Sequence, residues 1–147
     1  MELVFRKGTM RLIYLMKKYL GPNRMNRNQV LKLAEESFSV QGEYLWDGET
    51  HVVLRHPQSE KWFAIIMEVK KKSLHLEDET DEFEDIMNVK LNPIHIEDLL
   101  HEECFLPAWH MKKKYWISIR LSMVSEKALK KLLEESWDLV KPKSRKK

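Results

Sequence analysis

The stretch PAWHMKKKYWISIRL, residues 107–121, has the alternation of apolar and polar residues that predicts a β-strand. Successive side chains of a strand point to opposite faces of a sheet, so one set should enter the core. The predicted inward set is Tyr115, Ile117, Ile119 and Leu121. The predicted outward set is Lys114, Trp116, Ser118 and Arg120. We therefore predict the last strand of a sheet at residues 115–121, with a basic and aromatic outer face.

Helix-start residues precede three segments with helical spacing of apolar residues. Asn26 predicts the cap of one helix, and Gly42 marks its predicted exit. Asn92 followed by Pro93 predicts the start of a second helix, and Ser125 predicts the cap of the last one. The apolar stripe predicted for the last helix is Ala128, Leu129, Leu132, Leu133, Leu139 and Val140.

The segments between these helices are typical of short strands bounded by turn residues. They are residues 44–47, 51–55, 61–69 and 86–91. Residues 77–85, EDETDEFED, are mostly acidic and are predicted to form a solvated loop. The strand connections are too short for crossover helices, so the sheet should be antiparallel. The predicted fold class is α+β, with helices packed mainly on one face of the sheet.

Three stretches in the second half resemble the MmcQ/YjbR family of small bacterial proteins. They are NVKLNP at residues 88–93, HMKKKYW at residues 110–116 and ESWDLVKPK at residues 135–143. The resemblance spans roughly residues 26–143. It implies a YjbR/CyaY-like antiparallel α+β domain and a role in DNA binding, with no catalytic activity and no cofactor.

The length and composition predict one globular domain. The chain has 147 residues, 43% of them hydrophobic, and no apolar run of the length that a membrane span needs. A single cysteine, Cys104, excludes an internal disulfide, and we expect a cytoplasmic protein. Residues 25–27 resemble a family start, so the resemblance implies an amino-terminal helical extension at 1–24, the domain at 25–141 and a basic tail at 142–147. The extension is a candidate contact for a protein partner.

Positive charge is concentrated at the two ends of the chain. Residues 1–32 carry a net charge of +7, residues 33–111 carry −12, and residues 112–147 carry +8. Lysine and arginine side chains contact phosphates, and tryptophan stacks on exposed bases. The outward strand face and the lysines before it therefore predict a DNA-binding site with weak sequence preference. Its candidate residues are His110, Lys112, Lys113, Lys114, Trp116, Ser118 and Arg120.

Two alternatives to DNA binding stay open at this stage. Trp116 can instead cover a neighbouring helix, while the lysines keep an edge strand soluble. The other alternative is a module that binds a small ligand or a protein partner. Trp46, Trp62, Trp109 and Trp137 are predicted to be mostly core, but several of them lining a groove beside His110 would favour a ligand site.

An enzyme is the class that the motifs favour least. The sequence has no phosphate loop, nucleophile elbow or dinucleotide fingerprint. His101 precedes Cys104 by three residues, but paired metal-ligand spacings are missing, and we expect no metal site. Cys104 is predicted to be a buried small hydrophobe.

Overall fold

The computed structural model describes residues 25–46, 48, 50–76 and 80–143. The predicted helix within residues 1–24 lies outside the described residues, as does the tail from residue 144 onward. The proposed domain limits therefore stay a prediction.

Within the described residues the chain forms three α-helices and five strands. In chain order they are α1 Arg27–Phe38, β1 Val52–Arg55, β2 Trp62–Lys70, β3 Phe83–Lys90, α2 Pro93–Leu99, β4 Phe105–Pro107, β5 Trp116–Arg120 and α3 Glu126–Val140. The strands form one sheet in the order β1-β2-β3-β5-β4, and every neighbouring pair is antiparallel. The predicted α+β class with an antiparallel sheet is confirmed.

The predicted helix starts are also confirmed. Asn26 forms a capping box with Gln29, in which each side chain accepts a hydrogen bond from the other residue's backbone N–H. The Asn92 and Ser125 side chains cap α2 and α3 in the same way at one backbone N–H each. These signals are local, so they could be recognised without tertiary contacts.

The exit of α1 differs from the prediction. The helix ends at Ser39, whose left-handed backbone (φ 57°) lets its N–H reach the carbonyl oxygens of the last turn. Gly42 lies further on and has a different role. A Cβ atom at Gly42 would lie 2.4 Å from Val52 Cγ1, so glycine is needed there for the close approach of two segments.

Both faces of the sheet are buried, by different parts of the chain. The three helices cover one face, where the larger core includes Leu33, Phe63 and Leu129. The opposite face carries a second cluster, which is covered by side chains from turns and connections. This cluster consists of Val53, Ile65, Met67, Val69 and Ile86, with Trp62, Leu74, Trp109 and Met111 packed against it.

Several predicted elements are corrected by the tertiary structure. Residues 44–46 form no strand, because only Glu43 bridges to Val53 and the next side chains are exposed. The three-residue strand β4 was not predicted, since it is shorter than any reliable alternation pattern. The last part of the acidic segment is not a solvated loop: it opens β3, and Glu84 within it is buried. Leu139 is exposed and does not belong to the inner stripe of α3.

Ser136 of α3 joins the helix to the sheet at the end where β2 begins and β3 ends. Its hydroxyl donates to the Phe63 carbonyl oxygen at 2.6 Å and accepts from the Lys90 N–H at 2.9 Å. The register Ala64 opposite Val89, continued by one pair, would bring Phe63 opposite Lys90. The serine hydroxyl therefore replaces a direct hydrogen bond between the two strands and separates them at this end of the sheet.

Candidate functional site

The inward face of β5 agrees with the prediction except at its first residue. Ile117, Ile119 and Leu121 are buried, whereas Tyr115 is exposed. The N–H groups of Tyr115 and Trp116 both donate to the Lys112 carbonyl oxygen, which closes a turn immediately before the strand. The prediction that Tyr115 is a core residue is wrong, because the strand begins one residue later.

Ser118 does not face outward to solvent. It is completely buried, and its hydroxyl donates to Asn88 Oδ1 at 2.5 Å and accepts from the Trp109 N–H at 2.9 Å. Asn88 completes the network by donating from Nδ2 to the Trp109 carbonyl oxygen at 2.9 Å. The prediction that Ser118 donates to a phosphate is wrong, because the segment before β5 folds back over this face of the sheet.

Arg120 is held by a buried carboxylate. Its Nε donates to Glu84 Oε1 at 2.9 Å, and the Ser122 hydroxyl donates to the same oxygen. Arg120 lies four residues along the strand from Trp116, roughly 13 Å at the usual rise. The predicted basic face joining Arg120 to the lysines is therefore not continuous.

The three predicted lysines lie together on the turn before β5. The side chains of Lys112, Lys113 and Lys114 are exposed, and Lys114 Nζ lies 5.5 Å from the centre of the Tyr115 ring. His110 precedes them with a left-handed backbone (φ 55°), and its ring stacks on Trp109 at 4.2 Å. The turn therefore presents a compact basic group beside an aromatic pair.

Four tryptophans that are distant in sequence line one concave pocket. Trp46, Trp62, Trp109 and Trp116 surround a cavity of about 430 Å³. Ile65, Met67 and Met111 supply apolar lining, and His51, His110 and Lys112 are the polar lining residues. We call this cavity the tryptophan pocket. Its size and mainly apolar lining are typical of a small-ligand site.

The tryptophans differ from the core role that was predicted for most of them. Trp46 is exposed, and its ring meets Trp62 edge to face at 6.0 Å. Trp62 and Trp109 are half-buried against the second cluster. Only Trp137 behaves as predicted, since it packs against the larger core beside Phe38 and Phe63. No local pattern in the sequence indicates that the other four would meet.

Cys104 is buried, as predicted, and burial raises the pKa of its thiol to about 12. The thiol also contacts the Arg120 carbonyl oxygen at 3.7 Å. His101 is exposed, and the described residues contain no group of three or more potential metal ligands. Cys104 therefore lacks the thiolate character of a nucleophile.

We expect the native protein to resist modification of Cys104 by the disulfide reagent DTNB. The thiolate is the reacting form, and a pKa near 12 leaves almost none of it between pH 7 and pH 10. The rate should rise with pH in urea-unfolded protein, where the pKa returns towards 9.0, and stay low in native protein. Absorbance of the released thiolate measures both rates. Equal rates for native and unfolded protein would contradict the assignment.

The fold and the pocket define a small α+β sheet protein with a preformed concave site. The family model described as YjbR matches residues 26–139, and the chain belongs to this family. Uncharacterized protein YyaQ of Bacillus subtilis is 32% identical over 119 residues, which cover 80% of this chain and 99% of YyaQ.

Solved structures with the same fold come from two further bacteria. A Pseudomonas syringae protein in its crystal structure has a TM-score of 0.75 and 26% identity, covering 80% of this chain and all of that one. Its solution structure has a TM-score of 0.73 at 25% identity, covering 84% and 98%. A Deinococcus radiodurans protein with domain DUF419 shares the fold, with a TM-score of 0.60 at 19% identity, covering 87% and 86%. No helix in the described part of the chain is long and apolar enough to cross a membrane.

Proposed function

We propose that this chain is a non-enzymatic binding protein whose tryptophan pocket takes a flat, ring-containing ligand that carries negative charge. The observation that supports this proposal is the meeting of four tryptophans around a cavity of about 430 Å³. Indole rings offer large flat faces for stacking, and they lose little conformational entropy on binding.

The wall formed by Trp109 is positioned before any ligand arrives. Its backbone N–H and carbonyl oxygen are both held by the buried Ser118 and Asn88 side chains. Because this side of the pocket is already ordered, ligand binding costs less conformational entropy. Trp62 is fixed in a similar way, because it belongs to β2 and packs on the second cluster.

The charge of the proposed ligand follows from the polar groups at the pocket. Lys112 lines it, and the exposed Lys113 and Lys114 follow on the same turn. None of the described lining residues is acidic. Positive charge beside an aromatic pocket favours a ring that bears a carboxylate, sulfonate or phosphate.

The assignment as a non-enzyme belongs to the same proposal. A serine, cysteine or threonine nucleophile needs a base within reach, and the described residues that line the pocket include none of these three. The buried Cys104 thiol does not line the pocket. It lies just before β4, where its Sγ contacts the Arg120 carbonyl oxygen.

Binding of duplex DNA is the second candidate function. It is favoured by the three exposed lysines on one turn, which could contact phosphates without base readout. It is weakened by the burial of Ser118 and the ion pair of Arg120, because neither residue can then contribute to the same face.

The dye 8-anilinonaphthalene-1-sulfonate tests the pocket, since it joins flat rings to one negative charge. We expect saturable binding, seen as dye fluorescence and quenching of tryptophan emission. Trp62→Leu and Trp116→Leu should each weaken binding about tenfold, because stacking on one aromatic ring contributes roughly 1–3 kcal/mol.

Tyr115→Leu is the matched control. Tyr115 is an exposed aromatic residue next to Trp116, and it does not line the pocket. Urea unfolding should show that all three variants remain folded. The proposal fails if the two tryptophan variants bind the dye as tightly as the unmodified protein, or if the tyrosine variant loses as much affinity as they do.

A further inference from the structure

We infer that the natural ligand is single-stranded nucleic acid, with one base in the tryptophan pocket and its neighbouring phosphates at a second, lysine-lined concavity. This inference rests on the proposed function and specifies its ligand. It uses a surface at one end of the sheet that includes Lys112 and Trp116 of the predicted site but neither Ser118 nor Arg120.

Three neighbouring strands bring lining residues of the proposed surface to this end of the sheet. β2 begins there with Trp62, β3 ends there with Lys90, and β5 begins there with Trp116. Lys90 and Trp116 are register partners. The alternation of lysine and tryptophan is therefore built by neighbouring strands and does not depend on mobile loops.

The second concavity adjoins the tryptophan pocket and has a volume of about 360 Å³. Trp62 and Trp116 line both, so they form a shared wall. The other lining residues of the second concavity are Glu60, Lys61, Lys90 and Val140. Two connected cavities of this kind suit a ligand longer than a single ring.

The strands are held apart where this second concavity lies. Ser136 stands between the Phe63 carbonyl oxygen and the Lys90 N–H, in place of a direct hydrogen bond. Lys90 and Lys61 have no ion-pair partner within the described part of the chain. Their charge is thus not neutralised by a described carboxylate at ion-pair distance, although Glu60 lies on the same rim.

The surrounding charge matches a polyanion. Lys112, Lys113 and Lys114 lie on the turn that leads into Trp116. Lys141 follows Val140 directly and is exposed, with its Nζ 3.6 Å from Asp138. Lysines on both sides of the shared tryptophan wall can contact successive phosphates, while the rings stack on bases.

A single strand fits this surface better than a duplex does. The tryptophans line concave sites, so a base must leave its own stack to reach them, and in a duplex that costs a few kcal/mol. A free mononucleotide could fill the tryptophan pocket, but it would leave the second concavity without a phosphate chain. A single strand should therefore bind more tightly than a mononucleotide, and this difference distinguishes the two ligands.

The experiment measures fluorescence anisotropy of a labelled ten-residue thymidine oligonucleotide over a series of salt concentrations. The test variant is Lys61→Ala/Lys90→Ala, and the matched control is Lys130→Ala/Lys131→Ala on the exposed side of α3. Both variants remove two positive charges. AMP and a duplex of the same length are titrated in parallel.

We expect the oligonucleotide to bind at least tenfold more tightly than AMP and the duplex. Loss of two phosphate contacts should reduce the slope of log affinity against log salt by roughly 1.4, since each contact contributes about 0.7 for single strands. The Lys130/Lys131 control should keep the slope of the unmodified protein. Trp62→Leu should also weaken oligonucleotide binding about tenfold.

Equal losses in the two double-lysine variants would overturn the inference, as would equal affinity for duplex and single strand. The sulfonate dye separates this failure from failure of the proposed function. If Trp62→Leu weakens dye binding while the oligonucleotide neither binds nor displaces the dye, the pocket stands and nucleic acid is not its ligand. If the dye also fails to bind, both proposals fall.

Discussion

Replacing Arg120 by alanine is expected to lower the free energy of unfolding by about 3–5 kcal/mol, because it leaves a buried carboxylate without its cation. The Glu84 side chain is only 4% exposed, and its Oε1 accepts hydrogen bonds from Arg120 and Ser122. Its Oε2 has no hydrogen-bond partner within the described residues. Without Arg120, the buried Glu84 carboxylate would keep only one described hydrogen bond, the one from Ser122. Urea unfolding followed by circular dichroism measures the effect.

Arg55→Ala is the control for this prediction. Arg55 also pairs with a glutamate, Glu43, but both side chains are about one-third exposed or more. An exposed pair of this kind contributes about 1 kcal/mol or less. The double variant Glu84→Leu/Arg120→Met should recover most of the stability, since an apolar pair of similar volume can replace a buried ion pair. A loss for Arg120→Ala as small as that for Arg55→Ala would contradict the buried-pair argument.

This prediction also affects how binding experiments should be designed. If Arg120→Ala were combined with lysine substitutions, a loss of binding could come either from unfolding or from the missing lysine contacts. Arg120 lies at the opposite end of β5 from the tryptophan pocket. Any protein that remains folded after Arg120→Ala should therefore bind the sulfonate dye normally.

Asn88→Ala is the second substitution with a large expected effect, roughly 2–4 kcal/mol in the free energy of unfolding. Asn88 is fully buried, and its amide group contacts both the Ser118 hydroxyl and the Trp109 carbonyl oxygen. Alanine would leave the Ser118 O–H donor and the Trp109 carbonyl oxygen without the acceptor and donor that Asn88 supplies, at a cost of about 1–3 kcal/mol each. The segment that carries Trp109 would also lose one of its two described side-chain hydrogen bonds to the sheet, the one to its carbonyl oxygen. We therefore expect weaker dye binding together with lower stability in urea.

Asn92→Ala provides the matched control. Asn92 is an exposed helix cap whose side chain accepts one hydrogen bond, from the Ile94 N–H. Its loss should cost about 1 kcal/mol and leave the dye affinity unchanged. If Asn88→Ala destabilises the protein but keeps full dye affinity at low temperature, the network stabilises the fold without positioning the pocket.

The three family-like stretches of the sequence have different structural roles. In the first stretch, Asn88 donates to the carbonyl oxygen of the pocket residue Trp109. In the last stretch, Ser136 joins α3 to β2 and β3. Glu135, next to Ser136, accepts from the Asn92 N–H and contacts His95 Nδ1 at 2.6 Å. The middle stretch contributes His110, Lys112 and Trp116 to the tryptophan pocket, whereas the first and last stretches reach the second concavity through Lys90 and Val140.

Local chemistry was enough to predict much of the fold. Caps at Asn26, Asn92 and Ser125 and the apolar alternation of β5 act within a few residues of chain, so they can be read in order. The same information predicted an antiparallel sheet, because short connections exclude crossovers. It also predicted that Cys104 is a buried thiol, since it lies in an apolar segment.

The sequence by itself determined the helix starts and the fold class, because these depend on neighbours along the chain. Only the tertiary structure decided which polar residues are buried and which aromatic residues meet. Ser118 has the strand phase of a surface residue, but a returning segment covers it. Trp46, Trp62 and Trp116 meet because separate elements converge at one end of the sheet. Such convergence depends on packing between distant segments, and no local periodicity records it.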